Sequence, residues 1–393
     1  MKYRYIYIIL IYNFIQIFSL STKDNKFVKI SLTEENLVPT INAQLKNKNF
    51  SIILNNNLGH NYISTKNFNL TDFEFNFDSD KIRIKDKIYE AYFYIGPISI
   101  FNGNNYMRLA DFNSYVIDDK IISSSITIFY LLLELLIDKK DFYLDINNKN
   151  YYLGDIPFQS KLYSDIYNNN KFNSMTFYSN ETIGVFKQKL KNLYIGNNAL
   201  LINKFASFTI NDYITIFPLP ILKNIIRNKD IQKLDCNLIL LDRRGIYAIK
   251  CNKDNINKLP NLYFVFNNNY TFNISFDLLF EDFDDNYKIS LIRNKIKYNT
   301  LRQNDDDNDN DNEEIIIGYS IIKLFNYTIF SYDKWNVSFF SDKFIISHPP
   351  RFLSKYIYFL LYFLLFLLLF TTPCLIYIKL KLKKYLAKKY IIR

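Results

Sequence analysis

Between Lys26 and Phe340 the chain is a succession of short apolar runs, most of them too short for helices. From Lys26 to Ile63, FVKISL and NAQLKNKNFSIIL are β-branched and aromatic runs separated by Asn-rich turns, the signature of strands. From Phe68 to Phe101 apolar and polar residues alternate over many positions, which predicts long half-buried hairpins. Phe142–Phe158 reads as another hairpin, turning at 147–150, and strands resume in MTFYSN, TIGVFKQKLKNLYIG and ALLI. Helices are predicted only over Thr127–Leu136, which is Leu-rich, and over Leu219–Ile226, which starts beside Pro218 and Pro220. Two strand ends stand out. Phe50–Leu54 stops in the polar cluster Asn55-Asn56-Asn57-Leu58-Gly59, and Ala199–Ile202 stops in Asn203-Lys204-Phe205-Ala206-Ser207. A strand ending in a tight polar turn at matching places in two halves predicts a duplicated fold with its site between the halves.

Two longer apolar stretches lie outside this pattern, the first of them interrupted by Asn13 and Gln16. Ile6–Phe18 follows Lys2 and Arg4 and precedes Ser19-Leu20-Ser21-Thr22, the region order of a signal peptide, assigned to residues 1–21. Tyr356–Ile378 carries no charge and is long enough to cross about 30 Å of hydrocarbon. Seven lysines and arginines follow it, so the positive-inside rule places residues 379–393 in the cytosol and about 22–350 outside or in a lumen. The expected organisation is a first lobe over 27–175, a second over 176–345, a stalk at 346–355, the span, and the basic tail. The chain is thus predicted to be a single-pass type I protein of the secretory pathway or cell surface.

Composition adds less. Removing the seven tail charges lowers the balance from +11 to +4, so the basic character belongs to the membrane flank and nucleic acid is not an expected partner. The excess of Asn, Lys, Ile, Tyr and Phe over Gly is typical of AT-rich genomes such as those of apicomplexan parasites. Cys236 and Cys251 flank a stretch that alternates like a hairpin; they are either two free thiols or a disulfide, and the secretory signals favour the disulfide. Sequons at Asn49, Asn69, Asn180, Asn269, Asn273, Asn326 and Asn336 are glycosylation candidates in that compartment. The acidic run Asn304–Glu314 lacks the Gly and spacing of a calcium loop and reads as a solvated insert.

The order of these pieces resembles the pepsin-like aspartic proteases, including membrane-anchored plasmepsin-like members, over nearly all of residues 27–341. The matching segments are Phe50–Gly59, Ile202–Ser207, Cys236…Cys251, Leu259-Pro260-Asn261-Leu262-Tyr263-Phe264-Val265-Phe266, Ile316-Ile317-Gly318-Tyr319 and Tyr327–Ser331. The resemblance implies an all-β bilobal fold with short helices, and it maps the two catalytic Asp positions onto Asn55 and Asn203. It maps the flap Tyr onto Phe77 and a small hydroxyl that locks the turns together onto Lys204. Family chemistry needs two carboxylates that share a proton, and an amide cannot take a proton from water near neutral pH. The expectation is therefore a pseudoenzyme whose inter-lobe cleft binds an extended peptide or protein segment, with no cofactor and no metal. Two alternatives stand beside it: an active endopeptidase built on another acidic pair, including Asp111 or Asp118, and a structural or adhesive surface protein. His60 and His348 are the only histidines; His60 follows the first turn and reads as a solvated loop residue. No Cys/His spacing suits a metal, and no phosphate-binding glycine loop occurs.

Overall fold

The computed structural model describes residues 28–31, 33–35, 37–57, 60–70, 73, 75–84, 87–102, 104–120, 122–135, 137–157, 160–168, 172–179, 186–243, 245–266, 271–294, 314–346, 362–369, 371–373 and 377–382. The expected signal peptide, nearly all of the stalk and most of the acidic run lie outside these residues. The chain divides into two compact units, 1–347 and 348–393.

The first unit is almost entirely strand, and its described residues form three sheets. The first half of the chain builds an eight-stranded sheet from Thr33–Glu35 to Ser125–Thr127, and the second half an eleven-stranded sheet from Lys187–Ile195 to Ile345–Ile346. Both halves contribute to a six-stranded central sheet. Its two inner strands are Asp141–Asp145 from the first half and Tyr327–Ser331 from the second, paired antiparallel with Tyr143 opposite Ile329. Hairpins that alternate in sequence also alternate in space: Val38–Leu45 and Lys48–Asn55 pair through a two-residue turn, Lys46-Asn47. Both turn residues have positive φ (46° and 64°), the twist that a two-residue hairpin demands. Asn fills such positions in a chain with only 8 Gly because its short side chain tolerates left-handed backbone.

Both helices expected from the sequence form, and Lys161–Tyr163, Lys229–Gln232 and Tyr319–Ile322 add shorter ones that it does not predict. Ile128–Glu134 starts at Thr127, whose Oγ1 accepts from the N–H of Tyr130, and Leu219–Ile226 starts behind Pro218. The core draws on the chain's aromatic excess. Phe177, Phe208, Phe266, Phe272 and Phe339 form one packed cluster, with Phe208 stacked on Phe177 at 5.4 Å and tilted on Phe339 at 5.0 Å. Each is at most 1% exposed, so this cluster joins the central sheet rigidly to the second-half sheet.

Cys236 and Cys251 face each other across the antiparallel pair Cys236–Asp242 and Ile246–Asn252 and form a disulfide. Closing a loop of 15 residues removes freedom mainly from the unfolded chain. A Cys236→Ala/Cys251→Ala variant is expected to lose about 3 kcal/mol of stability. Reduction of the unaltered protein should lower its unfolding free energy by the same amount in a denaturant titration.

The second unit contains a helix, Tyr362–Leu382, of 21 residues, apolar and long enough to cross a membrane. Thr371 and Thr372 return their hydroxyls to the carbonyls of Leu367 and Leu368, one turn back, so neither polar group needs an outside partner. The helix includes Lys379 and Lys381, so the regular segment runs four residues past the apolar stretch read from the sequence.

Candidate functional site

The site is built by two loops of equal length. In the first half the strand Lys48–Asn55 runs parallel to Ser125–Thr127, and Ile53 and Tyr62 both pair with Ser125. In the second half Asn198–Phe208 runs parallel to Ile315–Ile317, and Ser207 and Ile216 both pair with Ile316. Matching these registers makes Asn55 the counterpart of Thr209, and Asn56 that of Ile210. The symmetry continues in the hydrogen bonds. Asn61 Oδ1 accepts from the N–H of Thr127 at 2.8 Å, and Thr215 Oγ1 accepts from the N–H of Gly318 at 3.1 Å. Thr127 and Gly318 are in turn the N-caps of the short helices that follow. Gly318 has no alternative: a Cβ there would lie 2.4 Å from the carbonyl oxygen of Ile214.

The second turn is therefore at Thr209-Ile210-Asn211-Asp212, and the expectation that it begins at Asn203 is corrected. The strand does not stop at Ile202 but continues to Phe208. Asn203 sits within it, exposed and at φ 49°, where the pairing with Lys187–Ile195 slips between Leu190 and Asn192. Ile202 and Asn203 stand opposite the single residue Lys191, a β-bulge that sequence alone does not distinguish from a turn. Lys204 is likewise a half-exposed strand residue opposite Leu190, not a buried lock between the turns.

The lock is Asn56. It is fully buried; its Nδ2 donates to the carbonyl of Phe208 at 2.9 Å and its Oδ1 accepts from the N–H of Ile210 at 3.0 Å. A single amide side chain thus spans the two residues that flank Thr209. The reciprocal bond cannot form, because Ile210 offers only hydrocarbon. The backbone of Asn56 is held too: its carbonyl accepts from the hydroxyl of Tyr332 at 3.0 Å. Burial pushes the Tyr332 phenol well above its ordinary range, so it stays a donor.

At the turn positions themselves the groups are neutral. Asn55 is half-buried, and its Oδ1 accepts from the N–H of Asn57 at 2.9 Å. Thr209 is 2% exposed and hydrogen-bonds the side chain of Asn211. An amide and a hydroxyl can hold a water or a peptide group but cannot share a proton as two carboxylates do. Asn57 Oδ1 is buried with no partner among the described residues.

The remaining expected residues fall elsewhere. Phe77 lies on Phe75–Ile84, in the bulged part between the pairs Phe75–Tyr94 and Ser79–Tyr92; its side chain lies outside the described residues. That hairpin closes beyond Ile84–Lys87, so its tip is well past Phe77. Asp118 is exposed and accepts from Thr65 Oγ1 at 2.9 Å, while the side chain of Asp111 lies outside the described residues. His60 is exposed and packs edge-on against Tyr115 at 5.2 Å; His348 lies outside the described residues. Among the described residues no group of His, Cys, Asp and Glu could hold a metal ion. Of the sequons, Asn49 and Asn69 are exposed, Asn273 and Asn326 are half-buried, and Asn336 is buried within the central sheet. Asn180 and Asn269 lie outside the described residues.

No protein-family model matches the chain, and no curated protein matches it in sequence. Solved structures do. Conglutin gamma, a basic 7S globulin from lupine seeds, is similar with a TM-score of 0.57 over 80% of this chain and 95% of its own, at 9% identity. Basic 7S globulin from soybean is similar with a TM-score of 0.58 over 80% of this chain and 96% of its own, also at 9% identity. The fold is the bilobal, mostly β fold of the pepsin-like proteins, as the order of segments in the sequence implies.

Proposed function

We propose that the chain is a membrane-anchored protein of pepsin-like fold that has lost peptidase chemistry and uses the cleft between its halves to bind an extended peptide. The observation that carries this reading is the pair of symmetric turns, held together by Asn56, with Asn55 and Thr209 where the fold can present two carboxylates. The turns are retained and the acids are not. An extended segment laid across them can pair with strand edges and leave alternate side chains to the walls of the cleft. The apolar helix Tyr362–Leu382 followed by a lysine-rich tail supports a single span with the tail in the cytosol. The disulfide supports a folded domain on the oxidising side of that membrane.

The test is a random peptide library presented to the purified protein from acidic to neutral pH, scored both for cleavage and for retained peptide. Peptide held without cleavage is the expected result. Cleavage that pepstatin stops would overturn the reading and put an acidic pair elsewhere in the cleft.

A further inference from the structure

The central sheet carries a second feature with the chemistry of a ligand site. On one of its faces a groove of about 450 Å³ runs over Asp141, Ser331, Asn336, Ser338 and Thr176, between Tyr167 and Tyr178. That volume lies within the range of small-molecule sites. Beside it, on the same sheet face, Tyr143, Ile329 and Phe340 are covered by Leu162 and Ile166 and form a small apolar cluster. The groove is the part of that face left open.

Asp141 sets its chemistry. The residue is 5% exposed, and Oδ2 receives the hydroxyl of Tyr143 at 3.1 Å and the ammonium of Lys139 at 3.2 Å. Oδ1 is buried and has no partner among the described residues. A carboxylate oxygen left unpaired in a polar, buried place costs free energy that a donor on a ligand recovers. Burial drives the Tyr143 phenol upward, so it remains a donor to Oδ2 and does not compete for Oδ1.

Charge narrows the ligand. Lys139 is shared between Asp155 at 2.7 Å and Asp141 at 3.2 Å, and Lys334 also lines the groove, so two ammonium groups stand beside two carboxylates. A free cation would meet both lysines and a free anion would meet Oδ1. A neutral molecule rich in hydroxyl groups meets neither objection: it donates to Oδ1 and exchanges hydrogen bonds with the hydroxyls of Ser331, Ser338 and Thr176. Tyr178 is 71% exposed and Tyr167 48%, which leaves two aromatic surfaces to cover the C–H faces of a sugar ring. We infer that this groove is a carbohydrate site for a neutral saccharide, separate from the cleft turns and independent of whether those bind peptide.

The test uses the full chain in phosphatidylcholine nanodiscs, which carry no sugar headgroup, after glycosidase treatment so that no attached glycan competes. Neutral hexoses, N-acetylhexosamines and their disaccharides are titrated by saturation-transfer NMR, beside glucosamine and glucuronate as charged controls. At least one neutral saccharide is expected to bind saturably and more tightly than either control. Asp141→Asn should weaken it about ten- to a hundredfold, the loss of a hydrogen bond to a charged acceptor. Tyr178→Ala should weaken it about three- to tenfold, and because Tyr178 is exposed its loss leaves the fold intact. No saturable binding of any neutral sugar, tighter binding of a charged control, or binding that neither variant moves would each overturn the proposal.

Discussion

An Asn55→Asp/Thr209→Asp variant is expected to cleave peptides at acidic pH in a pepstatin-sensitive manner, while the unaltered protein and an Asn55→Asp/Asn203→Asp variant do not. The expectation follows from the register. Asn55 and Thr209 follow strand ends that pair identically with Ser125–Thr127 and Ile315–Ile317, and Asn56 bonds the residues on both sides of Thr209. Two carboxylates placed there would share one proton, so that one holds a water as base while the other protonates the peptide carbonyl. Positioned acid–base groups contribute about 10²–10⁴-fold in rate, and that is the gain to look for over the unaltered protein. Asn203 lies on the outside of a bulged strand, so an Asp at that position has no partner. Gain from the 203 variant would show that the strand ends where the sequence motif suggests. Silence from both would assign the loss of chemistry to the turns around the acids as well, where Asn57 and Asn211 stand in the third turn position.

Much of the fold was legible because its elements are short and punctuated. Pro218 announces the helix Leu219–Ile226, Thr127 caps its own helix, and the alternation between the two cysteines is the hairpin that their disulfide closes. The first turn was legible for the same reason: Asn55-Asn56-Asn57 ends its strand with three residues that favour turns. The second was not. In a chain so rich in Asn and Lys, a bulge at Asn203 followed by Lys204 has the same composition as a turn, and the true turn begins with Thr and Ile, which favour strands. Spacing held the missing information. Ten residues separate Asn55 from the short helix Thr65–Asn67, and ten separate Thr209 from Leu219. Asn56 was invisible as a lock because its two partners lie 152 and 154 residues away. The groove over Asp141 was equally hidden, since its residues come from strands of both halves.

Replacing Asn56 by alanine is expected to lower the stability of the protein by about 2–6 kcal/mol, more than any other polar truncation at the two turns. The amide serves one buried acceptor, the carbonyl of Phe208, and one buried donor, the N–H of Ile210. Alanine leaves both in place and unpaired, and each orphaned buried group costs about 1–3 kcal/mol. Asn55→Ala is the control: it removes one acceptor from the N–H of Asn57 at a half-buried position, and should cost about 1 kcal/mol or less. Asn56→Thr separates lost hydrogen bonds from lost volume, because a hydroxyl both donates and accepts; it should recover a large part of the loss. The readout is already in the chain. Trp335 is the only tryptophan and packs on Tyr332 at 6.0 Å, and the hydroxyl of Tyr332 reaches the carbonyl of Asn56. Its fluorescence in a urea titration therefore reports unfolding next to the lock itself. A midpoint for Asn56→Ala equal to that of Asn55→Ala would mean that the amide bridge does not hold the halves together. The aromatic cluster around Phe208 would then be left as what sets the two turns against each other.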